Sequence, residues 1–207
     1  SYFSREVIVR SARHAASLRY SVSKKSGATP LRYLSPSGKF PIYYNFPADS
    51  AVPDSDAVTL TPSGTWINSP NGIPDYIEWV AQAADTSYWL MRDTLGYEDS
   101  SDSIMIQMVS MPQDGNNYYG YIDPGDDRNI KLHYSLAFLK PYRRDIRDGY
   151  RVTLAHELYH VIQFHYTNGV SWGNFFFEPS AVWMENKIYP AIKDYLQYAF
   201  EREGFIR

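Results

Sequence analysis

His156-Glu157-Leu158-Tyr159-His160 sets two imidazoles and a carboxylate within about one and a half helical turns. On a helix, residues i and i+4 share a face, so His156 and His160 can reach one metal ion while Glu157 points at a water beside it. Neutral imidazoles hold a zinc ion well, and a neighbouring carboxylate can take a proton from water. The residue types and their spacing therefore point to metal-assisted hydrolysis.

The flanking residues predict the helix that this chemistry needs. From Ile146 to Tyr166 there is no proline and a single glycine, Gly149. Val152, Leu154, Ala155, Leu158, Val161, Ile162 and Phe164 leave almost no polar face, which marks a helix buried on most sides. Two histidines and a glutamate left unpaired there would each cost on the order of a few kcal/mol to desolvate, and a divalent cation satisfies all of them at once. The alternative is a hydrogen-bonded pair of structural histidines.

A catalytic zinc usually takes protein side chains at three positions and water at the fourth. Glu178 and Glu185 compete for the remaining ligand position, in the run Phe175-Phe176-Phe177-Glu178-Pro179-Ser180-Ala181-Val182-Trp183-Met184-Glu185-Asn186. Their spacing puts both on the same side of one helix. Pro179 suits a first helical position and keeps the preceding residue out of the α region, so Glu178 is expected to cap or open that helix. The helix dipole favours a carboxylate there with or without a metal. Asn168-Gly169 is expected to end the histidine-bearing helix and turn the chain back. His165 is rotated off the ligand face and is expected either to support the site from behind the ligands or to be solvated.

With these residues in place the chain resembles the gluzincin branch of the zincin metallopeptidases, the thermolysin-like architecture. Phe40-Pro41-Ile42-Tyr43-Tyr44, Asn71-Gly72-Ile73-Pro74-Asp75-Tyr76-Ile77-Glu78, Leu154 to Gln163 and Glu178 to Glu185 are similar, in order and spacing, to a class of exported bacterial proteins described as metalloproteases. The resemblance runs from about Ser35 to Arg207, and its specific part is the zinc segment. It implies His156, His160 and Glu178 as ligands of one catalytic Zn2+, with Glu157 as general base. It also implies an α+β zincin-like domain: a twisted mixed sheet with an active-site helix, a backing helix and a short C-terminal helical subdomain. A secreted or extracytoplasmic location follows from the same likeness. Val182 stands where thermolysin-like enzymes carry the carboxylate that steadies a zinc histidine, so Glu185 is expected to take that role. Ile67 and Ser69 stand where relatives often place aspartates, so calcium is not supported. The connection from His160 to Glu178 is just long enough to end one helix and start another, whereas Glu185 lies about 10 Å farther along the second.

The implied activity is a zinc-dependent endopeptidase acting on a peptide or protein. Glu157 would take a proton from the attacking water and pass it to the leaving amine. The oxyanion donor is unknown from sequence, with Tyr166, Tyr189 and Tyr195 as possibilities. A catalytically silent zinc-stabilised binding domain would not need Glu157, a tyrosine-based binding module would need no metal, and a non-peptide zinc hydrolase would use the same residues.

Composition narrows the rest. At 207 residues, 44% hydrophobic and 21% charged, the chain suits one domain with a sizeable core. Residues 1–34 are expected to form an N-terminal segment, a first helix and linker or the remnant of a pro-segment. The catalytic domain would be 35–207, divided near residue 168. A net charge of −3 offers no electrostatic footprint for nucleic acid or anionic membrane, and a monomer is expected. With no cysteine there are no disulfides and no thiolate ligands. No apolar run reaches membrane-spanning length, and no signal-peptide pattern opens the chain. The start at Ser1 and the stop at Arg207 suggest a fragment. Nineteen tyrosines suit hydrogen-bonding grooves, and equally a tyrosine-rich core.

Local patterns complete the picture. Ser4 to Ser23 reads as a basic amphipathic stretch, Lys24 to Pro36 as a linker, Phe40 to Phe46 as a strand and Pro47 to Gly72 as loop. Pro74 opens a helix that Gly96 closes, with Tyr76, Ile77, Val80, Ala84, Tyr88, Leu90 and Met91 on its buried face. Ser103 to Val109 is a predicted strand, Gln113 to Asn117 a turn and Asp123 to Asp127 an acidic turn. Ile130, Leu132 and Tyr134 alternate with Lys131, His133 and Ser135, which predicts an edge-like, half-exposed strand over Asn129 to Leu136. By the zincin likeness, the strand preceding the active-site helix would pair with substrate backbone.

Overall fold

A computed structural model describes residues 30–45, 55–98, 102–109, 119–123, 126–137, 143–167 and 174–196. The architecture is α+β. A mixed sheet is built from β1 (Leu31–Leu34), β2 (Pro41–Tyr44), β5 (Met105–Val109), β6 (Gly120–Asp123) and β7 (Asp126–His133), in the order β1-β2-β5-β7-β6. A separate hairpin joins β3 (Thr59–Leu60) and β4 (Trp66–Ile67). The described helices are α1 (Asp75–Trp89), α2 (Asp148–Thr167) and α3 (Asn174–Ile188).

The centre of the sheet is parallel, β2 to β5 and β5 to β7, while both outer strands run antiparallel. Ile42, Ile106 and Ile130 face one another in register across β2, β5 and β7, and all three are fully buried. This row, with Leu132 and the helix residues Ile77, Val80, Leu154 and Leu158, forms the core. Burial on this scale supplies most of the stability, and it fixes where α1 and α2 lie against the sheet.

Several sequence expectations meet their elements here. Pro74 precedes α1, which runs on through a π turn (Leu90–Thr94) before the chain leaves at Gly96 with φ +77°. Of the expected face, Tyr76, Ile77, Val80, Ala84, Tyr88 and Met91 are buried and Leu90 is partly buried. α2 is buried on most sides, from Tyr150 to Ile162, as the near absence of a polar face requires. Within the loop-rich stretch, Thr61 and Thr65 close the β3–β4 turn by mutual hydrogen bonds. The amphipathic reading of Ser4 to Ser23, the Gln113 to Asn117 turn and the Asn168-Gly169 stop lie outside the described residues.

Two expectations are corrected. Leu31–Leu34, read as linker, is a strand paired with β2, so the sheet takes in residues assigned to the N-terminal segment. β7 is not an edge: β5 bonds one side of it and β6 the other. Its half-exposed alternation has another cause. One face carries Ile130 and Leu132 into the core, while on the other Lys131 is partly exposed and lies 5.2 Å from the ring centre of Tyr121 on the neighbouring strand. A strand with one covered face alternates wherever it sits in the sheet, so the pattern reports faces and not edges.

The entry to α2 is braced from several directions. Asp148 reaches back to accept the backbone N–H of Arg144 at 2.8 Å and of Asp145 at 3.0 Å, in the manner of a capping box. Arg143, buried, makes a bidentate pair with Asp194 at 2.9 and 3.1 Å, tying this entry to the segment after α3. Gly149 has no room for a side chain: an added Cβ would lie 2.5 Å from the Leu136 carbonyl oxygen and 2.8 Å from an Arg143 guanidinium nitrogen. In an exposed helix Gly→Ala stabilises by up to about 1 kcal/mol. Here the clash is with backbone, so overpacking wins. Gly149→Ala is expected to destabilise by about 1–3 kcal/mol, seen as a lower Tm; an unchanged or raised Tm would contradict this packing.

Candidate metal centre

α2 and α3 pack side by side, and the site forms where they face each other. Among the described residues, His156, His160 and Glu178 are a group able to hold a metal ion, their ligand atoms all within 4.8 Å of one another. Glu178 Oε2 lies 3.1 Å from His156 Nε2, and Glu178 Oε1 lies 3.5 Å from His160 Nε2. Ligand atoms on a tetrahedral zinc, each about 2.0–2.1 Å from the ion, stand about 3.3 Å apart. The two separations run to different Glu178 oxygens and lie near that value, and the nitrogen-and-oxygen donor set could hold a metal ion. The helical i, i+4 spacing brings the two rings edge to face at 4.6 Å between centres.

Each ring is held at its other nitrogen. His156 Nδ1–H donates to Glu185 Oε1 at 2.6 Å. Glu185 thus reaches the back of the ring whose front faces Glu178. The two carboxylates differ in exposure: the Glu178 side chain is 49% exposed and that of Glu185 13%, so Glu178 stands on the side open to solvent. His160 Nδ1 is 2.7 Å from Gln163 Oε1, and its ring stacks on Phe177 at 6.0 Å. Sequence reading missed Gln163. Its signal was present, as a polar residue one turn beyond His160 on a helix otherwise almost wholly apolar.

Glu178 does not open its helix. α3 starts at Asn174, and Pro179 lies inside it. Proline removes one backbone donor and crowds the carbonyl four residues back, a cost that falls near the helix start, where few backbone bonds are lost. The Ser180 hydroxyl donates to the Phe176 carbonyl just ahead of this point. Glu178 therefore occupies the second turn, and Glu185 follows two turns later on the same face.

Glu157 is buried, 6% exposed, and accepts no hydrogen bond from any described residue. Desolvation raises its pKa above the ordinary carboxylate value, partly opposed by His156 and His160. Glu178 behaves in the opposite way. Desolvation raises its pKa, but hydrogen bonds from His156 and His160 outweigh this and hold it well below the usual range. His156 is pushed down by desolvation and up by Glu178 and Glu185, and the carboxylates win, leaving its pKa well above that of an ordinary histidine.

Other expected site residues lie elsewhere. His165 is outside the group and packs edge-on against Tyr166, 5.7 Å between ring centres. The Tyr166 hydroxyl accepts the backbone N–H of Glu98 at 3.0 Å. The Tyr189 hydroxyl bonds Ser87 at 3.1 Å and donates to the Ala83 carbonyl at 3.4 Å, both on α1. These two tyrosines brace helices and are not aimed at the metal group. Tyr195 is partly buried just beyond α3. No helix among the described residues is long and apolar enough to cross a membrane. No family model matches the chain, and no curated protein or solved structure does either.

Proposed function

We propose that this chain is a zinc-dependent endopeptidase, with His156, His160 and Glu178 holding the ion and Glu157 serving as general base. The observation that carries the reading is the convergence of His156, His160 and Glu178, their ligand atoms within 4.8 Å of one another, beside a buried carboxylate that accepts no hydrogen bond from any described residue. Burial raises the pKa of that carboxylate while the two histidines pull it down, a setting that suits a group kept beside a cation and water to handle a proton. The layout supports a zincin-like domain: α2 packs against β6 and β7 of a mixed sheet, and α1 packs against α2.

When bound, zinc supplies a Lewis acid that polarises the scissile carbonyl and lowers the pKa of water. Glu157 takes the proton of the attacking water at its carboxylate and delivers it to the leaving nitrogen. Its desolvated setting strengthens it as a base near neutral pH. Glu185 keeps His156 turned so that Nε2 faces the ligand group. No described strand covers the outer edge of β6, so the substrate-pairing role expected of β7 passes to it. There an extended peptide could add as a further antiparallel strand.

Protein prepared without chelator is expected to hold about one zinc per chain by elemental analysis. Metal-free protein that takes up no zinc on titration would overturn the proposal. The uptake has a pH signature. Because the His156 pKa is raised, the ring holds a proton at neutral pH in the metal-free site, and zinc must displace it. Affinity should therefore fall as pH drops, and calorimetry in buffers of different ionisation enthalpy should show about one proton released from this ring.

A further inference from the structure

The His160–Gln163 contact belongs to a chain of hydrogen bonds whose direction can be assigned from its far end. The Phe177 carbonyl can only accept, and it lies 3.3 Å from Gln163 Nε2. The Ser180 hydroxyl donates to the Phe176 carbonyl, so its oxygen is left to accept from Gln163 Nε2 at 2.8 Å. The Phe177 carbonyl is a further possible acceptor for that hydroxyl, at 3.1 Å. Both acceptors on α3 thus require the amide nitrogen of Gln163 to point their way, which turns Oε1 toward His160 Nδ1 at 2.7 Å. An amide oxygen can only accept, so Nδ1 must carry the hydrogen.

We infer that Gln163 is a positioning residue: it holds a hydrogen of His160 on Nδ1, so that Nε2, which faces Glu178 Oε1 at 3.5 Å in the metal-free site, is the nitrogen that meets the metal, and it locks that ring to the turn of α3 that carries Glu178. Phe177 and Ser180 flank Glu178 in sequence, and Phe177 also stacks on the His160 ring. One side chain therefore aligns ligands from two helices. An unconstrained neutral imidazole favours hydrogen on Nε2, the nitrogen a metal would need, so without Gln163 the ring must change form before it can ligate. The identity of the metal rests on the function proposed above; the form of the ring does not.

The test reads the ring itself. Nitrogen-15 resonances of the neutral His160 ring in the metal-free protein should show hydrogen on Nδ1. In Gln163→Leu the hydrogen should shift toward Nε2, and zinc affinity measured against a competing chelator should fall about 10–100-fold. Gln163→Glu keeps an acceptor at the same place and should restore the Nδ1–H form. Ser180→Ala removes the far anchor without touching α2 and should shift the ring the same way, less far, which keeps the test open if Gln163→Leu does not fold. Hydrogen on Nε2 in the parent protein would overturn the inference. So would an unchanged ring form, with zinc affinity within about twofold of the parent, in Gln163→Leu or, where that variant does not fold, an unchanged ring form in Ser180→Ala. If the parent binds no zinc, the proposed function fails, while the ring resonances still decide the role of Gln163.

Discussion

Glu157→Gln is expected to keep about one zinc per chain and to lower hydrolysis of an unfolded protein or quenched peptide at least ~10²-fold. The substitution preserves shape and leaves His156, His160 and Glu178 untouched, so metal content and activity should separate. It also removes a buried negative charge that accepts no hydrogen bond from any described residue, so the folded protein should lose no stability and could gain some. That combination is specific to a carboxylate kept for its chemistry. A structural glutamate would show the reverse: lower Tm with activity following the folded fraction. Equal cleavage rates for variant and parent would remove Glu157 as the base.

The second large effect concerns the two glutamates of α3. Glu178→Ala is expected to weaken zinc binding more than Glu185→Ala does, because it deletes a carboxylate whose two oxygens stand 3.1 Å from His156 Nε2 and 3.5 Å from His160 Nε2. Glu185 touches only the back of His156, at 2.6 Å from Nδ1, and losing a group in that place typically costs ~10–100-fold in affinity. Proton release should change in both variants. Either deletion takes a carboxylate from His156 and lowers its raised pKa, so less proton should be released on zinc binding. Chelator competition on both variants decides the order. Weaker binding in Glu185→Ala than in Glu178→Ala would show that the two roles are exchanged.

Much of the centre could be read from short-range order. The face shared by His156 and His160, the burial of their helix and the common side of Glu178 and Glu185 all follow from the period of the α-helix, which depends on residues within two turns. The same holds for α1, whose opening at Pro74 and exit at Gly96 are local backbone preferences. The start of α3 is not legible for a related reason. Pro179 is a local signal alone, whereas hydrogen bonds across from α2 through Gln163 and Ser180 support the turn in which it sits.

What tertiary structure decided is everything that depends on which element lies beside which. Alternation along β7 determined that one face is buried, but only the sheet order shows that, among the described strands, β6 and not β7 lies outermost on that side. Spacing placed two glutamates on one side of α3. It took the packing of α3 on α2 to set Glu178 at Nε2 of His156 and Glu185 at Nδ1 of the same ring. Gln163 stood in plain sight beside His160, yet its partners lie on another helix, at Phe177 and Ser180. Helical period orders residues along one element through bonded geometry; hydrogen-bond direction and ring orientation are set between elements, by contacts that exist only once the core has closed.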